Sequence, residues 1–489
     1  MAKTFLEIFR EINRIPRPSH HEEKIAQFLC DFAQEHGLKF RKDQENCVVI
    51  EKPATPGYEN ADPVVILNHM DMVCVAKDGY LRQGRAFNPL TDEILPYIDE
   101  VKNADGTVTR CMKAEGTSLG ADNGMGLSMA LAILADDTLV HPALEVLTTT
   151  NEEDGMSGAE ALSTDFIKGR KVVNLDSEAF DEITVGAAGA YFQVAKWNAE
   201  QLPMEEGDFT FLRIRMEGGY GGHSGVDINK GRCNCNKELA KFLAGASTYK
   251  LLICSLNGGT ANASIASWSQ VVLAVPTEKT AAFLSDLENW KTEIHTKYQA
   301  TDAGINIVVE NAEAQTSYLP NLEKVVNCLN ELPCGVMLMR EDMPGTVMTS
   351  NNIGVVSTGQ EITVSCHTRS FSDEQMHELG KKIHGIFESC QAKEIDIVMD
   401  TPAWFEREDS PLLALTCQTF EDVLGFAPKK VAMHFVLEAA YYVQKYPGVE
   451  IASIGPRIIE PHSTSERVDV DTAEKIWKVT VELLKRLAE

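Results

Sequence analysis

The stretch "ILNHMDM", residues 66–72, joins a strand pattern to two chemically active side chains. The apolar run at residues 64–67 predicts a buried strand, and His69 and Asp71 follow directly after it. Side chains at positions i and i+2 of an extended segment point the same way. A carboxylate beside an imidazole can hold its second ring nitrogen and fix the tautomer, as it does in metal sites. This stretch therefore predicts a strand that ends in part of a metal site.

Acidic residues and a second histidine follow the other predicted strands. Glu152 and Glu153 follow "LEVLTTT" (144–150), Asp176 follows "VVNL" (172–175), and His462 follows "VEIASIG" (449–455). Asp122 lies in the glycine-rich loop "EGTSLGADNGMG" (115–126), ahead of an apolar helix. Ligands of open α/β sheets bind at the carboxyl ends of the strands. We therefore expect these side chains to converge on one edge of a sheet.

The chemistry of this set favours a divalent metal. Two imidazoles with several carboxylates suit zinc, manganese or cobalt, whereas ligation by oxygen alone would suit magnesium or calcium. Asp122 suits a bridging position between two ions, because its glycine neighbours let the backbone approach closely. If the two adjacent glutamates are extended, they point to opposite sides, so one can ligate while the other acts as general base. Taken singly, the glutamate pair is better explained as solvated surface, the H-x-D pattern is a weak signal, and Asp122 or Asp176 could be a cap. The metal site is predicted because all of these groups fall on one predicted edge.

The composition limits the classes of partner. A net charge of −27 argues against non-specific binding to nucleic acid or to anionic membranes. The N-terminus has no signal-peptide pattern, and no apolar run reaches the length of a membrane span. The 12 cysteines form no disulfide framework, and the pair Cys233 and Cys235 has no second pair at zinc-finger spacing. We expect a cytoplasmic protein without a membrane or nucleic-acid partner.

The order of predicted elements indicates an α/β protein with a second, inserted layer. Strands and helices alternate early, and from about residue 190 the strands "FTFLRIRM" (209–216) and "ITVSCHTRS" (362–370) alternate as if one face were open. Helix caps are predicted in three places, namely Ser19 with Glu22, Ser372 with Gln375, and Asp471 with Glu474. The predicted fold class is α/β, with a mixed, largely parallel sheet between helices and an inserted α+β domain.

Six motifs together resemble the di-zinc aminoacylase and carboxypeptidase superfamily, and most closely its aminoacyl-histidine dipeptidase branch (β-alanyl-histidine dipeptidase, peptidase D). They are "HMDMV", "GTSLGADNGMG", "NEEDGMSGA", "NLDSE", "GGHSGVDINKGR" and "SIGPRIIEPHSTSERV". They occur in the family's order, and the resemblance covers nearly the whole chain. It implies a catalytic domain at 1–186 and 395–489, a lid domain inserted at 187–394, and a possible homodimer.

The resemblance also implies a metal site with two zinc ions. In it His69 and Asp176 would hold one ion, Glu153 and His462 would hold the other, and Asp122 would bridge them. Manganese or cobalt could replace zinc.

Further roles are implied around these ligands. Asp71 would be the supporting acid and Glu152 the general base. His223 in "GGHSG" would help to stabilise the reacting carbonyl oxygen, and Arg369 would capture the substrate carboxylate. Without the resemblance, His223 is better explained as a turn residue among glycines, and Arg369 is better explained as a surface charge.

Two segments on the substrate side depart from the family's pattern. In "GGTANASIAS" (258–267), Ala263 and Ala266 stand where relatives have asparagine and proline. In "HFVLEAA" (434–440), Phe435 replaces a small residue, while His434 and Glu438 are retained as candidate substrate-binding residues. The side-chain preference of the enzyme is therefore open.

The expected function is metal-dependent hydrolysis of dipeptides of the Xaa-His kind, such as β-Ala-His. A broader dipeptidase, a tripeptidase or a deacylase of N-acyl amino acids would use the same site. A metal-binding module without catalysis is the alternative from another class. It predicts the loss of the base or of a ligand, but Glu152 and the proposed ligands are all present.

Overall fold

The computed structural model describes residues 3–102 and 106–489, which form two compact units. Unit 1 runs to Gly186 and includes Phe405–Ala432 and Glu438–Glu489. Unit 2 comprises Ala187–Trp404 and Met433–Leu437. Unit 2 begins where the insert at 187–394 was predicted to begin, but it extends further at its end. The predicted domain division itself stays a prediction.

The helices of the described chain are short to medium in length. In chain order they are α1 (Phe5–Ile12), α2 (Glu23–Glu35), α3 (Ala121–Ala135), α4 (Ser157–Ala161), α5 (Cys235–Gly245), α6 (Thr280–Tyr298), α7 (Asn321–Glu331), α8 (Asp373–Ser389), α9 (Pro411–Leu424), α10 (Ala439–Lys445) and α11 (Val470–Ala488). Within the described ranges, none of them combines the length and apolar character that crossing a membrane requires.

The strands are, in chain order, β1 (Lys39–Lys42), β2 (Val48–Lys52), β3 (Val64–His69), β4 (Leu81–Arg82), β5 (Arg85–Ala86), β6 (Pro96–Lys102), β7 (Val108–Ala114), β8 (Leu144–Thr149), β9 (Lys171–Asn174), β10 (Glu182–Ala187), β11 (Gly189–Asn198), β12 (Leu202–Pro203), β13 (Phe209–Glu217), β14 (Leu252–Gly258), β15 (Ser269–Pro276), β16 (Asn306–Asn311), β17 (Ser317–Tyr318), β18 (Gly335–Met339), β19 (Val347–Thr358), β20 (Glu361–Ser370), β21 (Glu394–Thr401), β22 (Trp404–Phe405), β23 (Lys429–Met433), β24 (Glu450–Ser453), β25 (Ile458–Ile459) and β26 (Arg467–Asp469).

Unit 1 is built on a mixed sheet with the order β1-β2-β8-β3-β9-β24-β10-β22, and β23 also pairs with β10. Its central strands β8, β3, β9 and β24 are parallel, whereas β1, β2 and β10 pair antiparallel. Every residue of β3 and β8 is buried, as their apolar and β-branched sequences predict for strands covered on both faces. The sheet is thus mixed as predicted, and parallel only at its centre.

Helix α3 is the buried helix that its apolar sequence predicts. From Leu127 to Leu134 its residues are all buried, because α1 and α11 pack on it and it packs on β3. It is one of the elements that cover the sheet, together with α2 on β2 and α9 on β24. The loop before α3 therefore opens at the carboxyl edge of the parallel strands.

The predicted capping box at Ser19 and Glu22 is wrong. Helix α2 begins at Glu23, and in the described chain no side-chain hydrogen bond caps it. The Oγ of Ser19 donates instead to Oδ2 of Asp71 at 2.8 Å, and Oε1 of Glu22 accepts from the amide of Asn151 at 3.0 Å. Both side chains thus pair with buried polar groups. Leaving a buried group unpaired costs more free energy than leaving a helix end to be hydrated by water.

The other two caps have different outcomes. Ser372 caps α8 as predicted, since its Oγ accepts from the amide of Gln375 at 3.3 Å. The predicted reciprocal contact of a capping box is not formed, because Oε1 of Gln375 accepts from Oγ1 of Thr349 at 2.8 Å. Helix α11 begins earlier than predicted, because Asp469 is its N-cap and accepts from the amides of Asp471 and Thr472 at 3.0 and 3.2 Å. Asp471 therefore lies inside the first turn of the helix.

Unit 2 is built on a second sheet, with the order β16-β13-β15-β14-β19-β20-β11-β21, and β18 also pairs with β19. Its described pairings, such as β13 with β15 and β20 with β11, are antiparallel. Helices α5, α7 and α8 pack on this sheet and share one apolar core with it. Strand β13 alternates between buried and partly buried residues as predicted. The prediction of an open face on β20 is wrong, because this central strand is buried throughout from Val364 to Ser370.

Two glycines of α8 give a matched test of this packing. A Cβ on Gly380 would lie 2.6 Å from Cδ1 of Tyr191 on β11, whereas a Cβ on Gly385 would meet nothing within 4 Å. We expect Gly380→Ala to destabilise unit 2 by roughly 1–3 kcal/mol through overpacking. Gly385→Ala should stabilise it by about 0.5–1 kcal/mol, because alanine loses less backbone entropy in a helix.

Urea unfolding followed by circular dichroism and by tryptophan fluorescence measures both changes. Equal effects of the two substitutions would contradict this account of the contact between α8 and β11.

Candidate active site

The predicted ligand residues of unit 1 meet at the carboxyl edge of its parallel strands. Asp122 lies between the two histidines and offers one oxygen to each. Its Oδ1 is 3.1 Å from Nε2 of His69, and its Oδ2 is 3.1 Å from Nε2 of His462. The outer carboxylates complete the row, with Asp176 Oδ1 3.4 Å from the Nε2 of His69 and Glu153 Oε2 2.8 Å from the Nε2 of His462.

These residues fit a divalent metal ion. His69, Asp122 and Glu153 each present one ligand atom, and the three atoms lie within 4.8 Å of one another. The buried Oε1 of Glu153 has no hydrogen-bond partner among the described residues, so it is available to a ligand. A donor set of imidazoles and carboxylates without thiolates suits zinc, manganese or cobalt.

The electrostatics of this row also favour a cation. Hydrogen bonds with Asp122 and Glu153 raise the pKa of His462 to about 11. Burial opposes the charge on His69, yet Asp176, Asp122 and Asp71 together raise its pKa well above the ordinary value. The carboxylates thus hold positive charge on both imidazoles. A divalent ion would supply that charge instead of the protons.

Asp71 joins the end of β3 to the turn that carries the two glutamates. Its carboxylate is fully buried, and Oδ1 lies 3.4 Å from Nδ1 of His69. The same carboxylate accepts from the amides of Glu152 at 3.1 Å and Glu153 at 3.2 Å, and from Ser19. These contacts fix the histidine ring and the adjacent acids with one group.

The prediction that Glu152 and Glu153 are extended is wrong, because both lie in a turn that follows Asn151, whose φ is +54°. The turn nevertheless separates their roles in space: Glu153 contacts His462, whereas Glu152 is not part of that ion-pair row. Burial raises the pKa of Glu152 well above its ordinary value, and the nearby carboxylates of Asp176 and Glu153 add to the effect.

Glu438 lies beside this row in unit 1. Its Oε2 accepts from Oγ1 of Thr149 at 2.7 Å, at the end of β8. Its Oε1 is buried and has no partner within the described parts of the chain, and burial raises its pKa to about 8. The side chain is therefore a buried polar group near His69 and Asp176.

Glu466 holds the residues that lead into Asp122 (115–122, here called the Asp122 loop), a role that the sequence did not predict. Asp122 was predicted ahead of the helix, but it is the second residue of α3, with φ −82° and ψ 115°, which are not helical. This buried carboxylate accepts from three consecutive amides, those of Leu119 (2.7 Å), Gly120 (2.9 Å) and Ala121 (2.7 Å). Because three amides next to Asp122 donate to one buried carboxylate, the backbone at Asp122 is held in position. The only signal was the place of Glu466 in the quoted motif "STSERV".

Arg17 links the same loop to the end of β3, and nothing in its local sequence indicates this. Its guanidinium is buried and donates to the carbonyls of Met70 (2.9 Å), Asp71 (3.0 Å) and Gly120 (2.7 Å). Gly120 has φ +68°, and a Cβ there would lie 2.7 Å from Nη2 of Arg17. Glycine is thus required at this contact.

Unit 2 brings His223, Arg369 and His434 together. Nδ1 of His223 accepts from the amides of Gly225 at 3.3 Å and Val226 at 3.2 Å. The ring proton is therefore on Nε2. Burial and the nearby Arg369 lower the pKa of His223 to about 4, so this histidine is neutral and donates through Nε2.

Arg369 is only 3% exposed, so it is not the surface charge that its strand pattern allowed. Its Nε donates to Oγ of Ser224 at 3.4 Å, and within residues 3–102 and 106–489 it forms no ion pair with a carboxylate. His434 lies nearby, with Nε2 2.8 Å from Oγ of Ser350, the cross-strand neighbour of Arg369. A buried cation without an acidic partner favours an anionic ligand.

Both segments that depart from the family's pattern contact the loop of His223. The carbonyl of Ala263 accepts from the amide of Ser224 at 2.8 Å. The ring of Phe435 stands edge-on to the ring of His223, with centroids 6.0 Å apart. Changes in these segments therefore act on the surroundings of one histidine.

Comparisons with known proteins agree with this geometry. Residues 65–486 match the sequence model of Peptidase family M20/M25/M40. The chain is 32% identical to the cytosol non-specific dipeptidase of Escherichia coli (strain K12) over 485 residues, which cover 98% of this chain and 97% of that protein. The crystal structure of aminoacylhistidine dipeptidase from Vibrio alginolyticus is similar with a TM-score of 0.85 and 32% identity, covering 99% of this chain and 96% of that one.

A tripeptidase from Staphylococcus aureus is similar in fold alone, with a TM-score of 0.59 and 14% identity over 100% of this chain and 99% of that one. Together these findings confirm the predicted fold class and the predicted resemblance. The roles of single residues, the identity of the metal and the oligomeric state stay predictions.

The contact of Glu466 with the Asp122 loop can be tested through metal affinity. In Glu466→Gln the amide nitrogen would face backbone N–H groups, so the loop would lose part of its support. We expect zinc affinity to fall about 10–100-fold, as for other groups that orient metal ligands.

Competition with a chromophoric chelator measures this affinity. Glu474→Gln, which changes an exposed glutamate of α11, is the matched control. Equal affinities of Glu466→Gln and the unmodified protein would contradict the assigned role of Glu466.

Proposed function

The chain belongs to Peptidase family M20/M25/M40, and on this premise we propose that it is a metallo-dipeptidase, which hydrolyses the peptide bond of dipeptides with metal-activated water. The observation that carries the proposal is the row of ligands in unit 1, in which Asp122 offers one oxygen to each of two imidazoles. A pure binding module would not need an acid with a raised pKa beside that row, and the partly buried Glu152 is such an acid.

Two divalent ions are proposed for the row. His69 and Asp176 would hold the first ion, His462 and Glu153 the second, and Asp122 would bridge them. We propose zinc as the natural metal, with manganese or cobalt able to replace it. When bound, the ions lower the pKa of a water molecule toward about 7 and polarise the peptide carbonyl.

Glu152 is proposed as the general base. Its carboxylate would take a proton from the attacking water and pass it to the leaving amine. Its raised pKa favours holding that proton between the two steps. The contact from its amide to Asp71 keeps the turn in place, so Asp71 is proposed as the supporting acid.

His223 and Arg369 are also proposed to act on the substrate. The Nε2 proton of His223 would be donated to the carbonyl oxygen as negative charge develops there. Arg369 would hold the carboxylate of the C-terminal residue, because its buried charge needs an anion. His434 is proposed as a neighbour of this carboxylate site, and Glu438 as a substrate-side acid in unit 1.

We propose dipeptides that include the Xaa-His kind as substrates. The two relatives at 32% identity carry the names non-specific dipeptidase and aminoacylhistidine dipeptidase. The edge-on contact of Phe435 with His223 supports a pocket that differs from the family's pattern, and hence a preference that differs from a strict Xaa-His enzyme. A cytoplasmic location and a homodimer complete the proposal.

The first test is a substrate panel under metal control. The protein is dialysed against a chelator, restored with zinc, manganese or cobalt, and assayed with β-Ala-His, Ala-His, Ala-Ala, a tripeptide and an N-acetyl amino acid. We expect metal-dependent cleavage of the dipeptides. Cleavage of the tripeptide or the acyl compound alone would contradict dipeptides as the substrate class. No turnover despite tight metal binding would contradict the catalytic function.

The second test concerns the base. Glu152→Gln should lower kcat for Ala-Ala about 10²–10⁴-fold, because proton transfer to a positioned general base contributes that much. Its metal content, measured by plasma mass spectrometry, should stay unchanged, because Glu152 is not a proposed ligand. Glu160→Gln is the matched control, since Glu160 is an exposed glutamate on α4. Unchanged kcat in Glu152→Gln would contradict the mechanism.

A further inference from the structure

His367 on β20 is a buried histidine that the mechanism above does not use. Its side chain is 7% exposed, and within the described structure neither ring nitrogen has a hydrogen-bond partner. A buried polar group without a partner costs free energy in folding, so such a group needs an explanation. His367 differs in this from His223 and His434, whose rings each have one hydrogen-bond partner in the protein.

The strand places His367 on the same face as Arg369. On β20 the residues Ile362, Val364 and Cys366 point into the core shared with the helices of unit 2. Because successive side chains alternate, the odd-numbered positions 367 and 369 point to the opposite face. The pairing of β20 with β11 and β19 is regular at these positions, so the two side chains are neighbours along one row.

The cross-strand neighbours leave the ring nitrogens unengaged. Across β11 the ring of Phe192 lies 5.4 Å from the ring of His367, centroid to centroid. Across β19, Asn352 is already engaged, since its Nδ2 donates to the carbonyl of Ser264 at 2.9 Å and its Oδ1 accepts from Asn234 at 3.2 Å.

The charge around His367 keeps it neutral. Burial lowers its pKa well below the ordinary value, and the nearby Arg369 and His223 add to this effect. A neutral imidazole has one N–H donor and one acceptor nitrogen. The nearest cation, Arg369, forms no carboxylate ion pair in the described chain. An anion bound by Arg369 would therefore also meet an unused N–H donor.

We propose that His367 determines specificity for the free C-terminus of the substrate, by donating its ring N–H to the carboxylate that Arg369 holds. This inference rests on the proposed dipeptidase function. The carboxylate provides acceptor oxygens for both residues. One ligand would therefore pair both the charge of Arg369 and the N–H donor of His367. A dipeptide amide, which has no anionic carboxylate, would lose this recognition.

The test uses an uncleavable pair of probes with the metal-loaded enzyme. The probes are a pseudodipeptide, Ala-Ala with its peptide bond replaced by CH2–NH, and the same compound as its C-terminal carboxamide. Calorimetry gives Kd for each probe with the unmodified protein, His367→Leu and His367→Gln. His295→Leu, at an exposed position of α6, is the matched control.

We expect His367→Leu to bind the acid about tenfold or more weakly, which is the loss of one hydrogen bond to a charged group. Its Kd for the carboxamide should change less, because the uncharged amide oxygen accepts a weaker hydrogen bond. His367→Gln keeps an N–H donor and should recover most of the affinity for the acid. A loss that is equal for both probes would indicate a merely structural role and overturn the proposal.

A measurement on the unmodified protein keeps the proposal testable if His367→Leu does not fold. With 13C-labelled histidine, the ring signal that is missing in His367→Gln should shift more when the acid probe is added than when the carboxamide is added. A signal that ignores both probes would overturn the proposal.

The two proposals fail separately. An unmodified protein that cleaves no dipeptide but prefers the acid probe through His367 would overturn the dipeptidase function alone. An active dipeptidase whose preference for the acid probe does not depend on His367 would overturn this inference alone.

Discussion

A buried carboxylate must be paired, and the contacts of Asp71 show how that requirement organises unit 1. This carboxylate accepts from Ser19 and from the amides of Glu152 and Glu153, and it lies against the imidazole of His69. Three separate segments thus meet at a single charge. The end of β3, the turn after β8 and the approach to α2 could not shift independently without leaving that charge unpaired.

The loop of Asp122 is held by a second set of buried charges. Glu466 accepts hydrogen bonds from three amides of the loop, and Arg17 donates to carbonyl oxygens of the loop and of the residues after β3. These two residues are far apart in sequence and meet no substrate in the proposed mechanism. They are important because a metal-ligating side chain on a loop is held in the right position only when hydrogen bonds also hold the loop backbone.

The two units carry unpaired buried charge of opposite sign. Unit 1 gathers more carboxylates than imidazoles at one sheet edge, which is a site for cations. Unit 2 buries Arg369 near three neutral histidines, His223, His367 and His434, and this arrangement favours an anion. Divalent metal ions and a peptide with a free carboxylate are ligands that would pair these charges. The proposed reaction therefore follows from unpaired charge in each unit.

The sequence by itself determined several central strands, the buried helix α3 and the acidic and histidine residues that follow the strands of unit 1. These depend on local patterns, such as an apolar run followed by His69, that hold wherever the chain folds. Only the tertiary structure decided that Ser19 pairs with Asp71 instead of capping α2, and that Arg17 and Glu466 support the loop. It alone shows that His367 is buried with no hydrogen-bond partner among the described residues. Burial and long-range pairing depend on residues distant in sequence, so no local pattern encodes them.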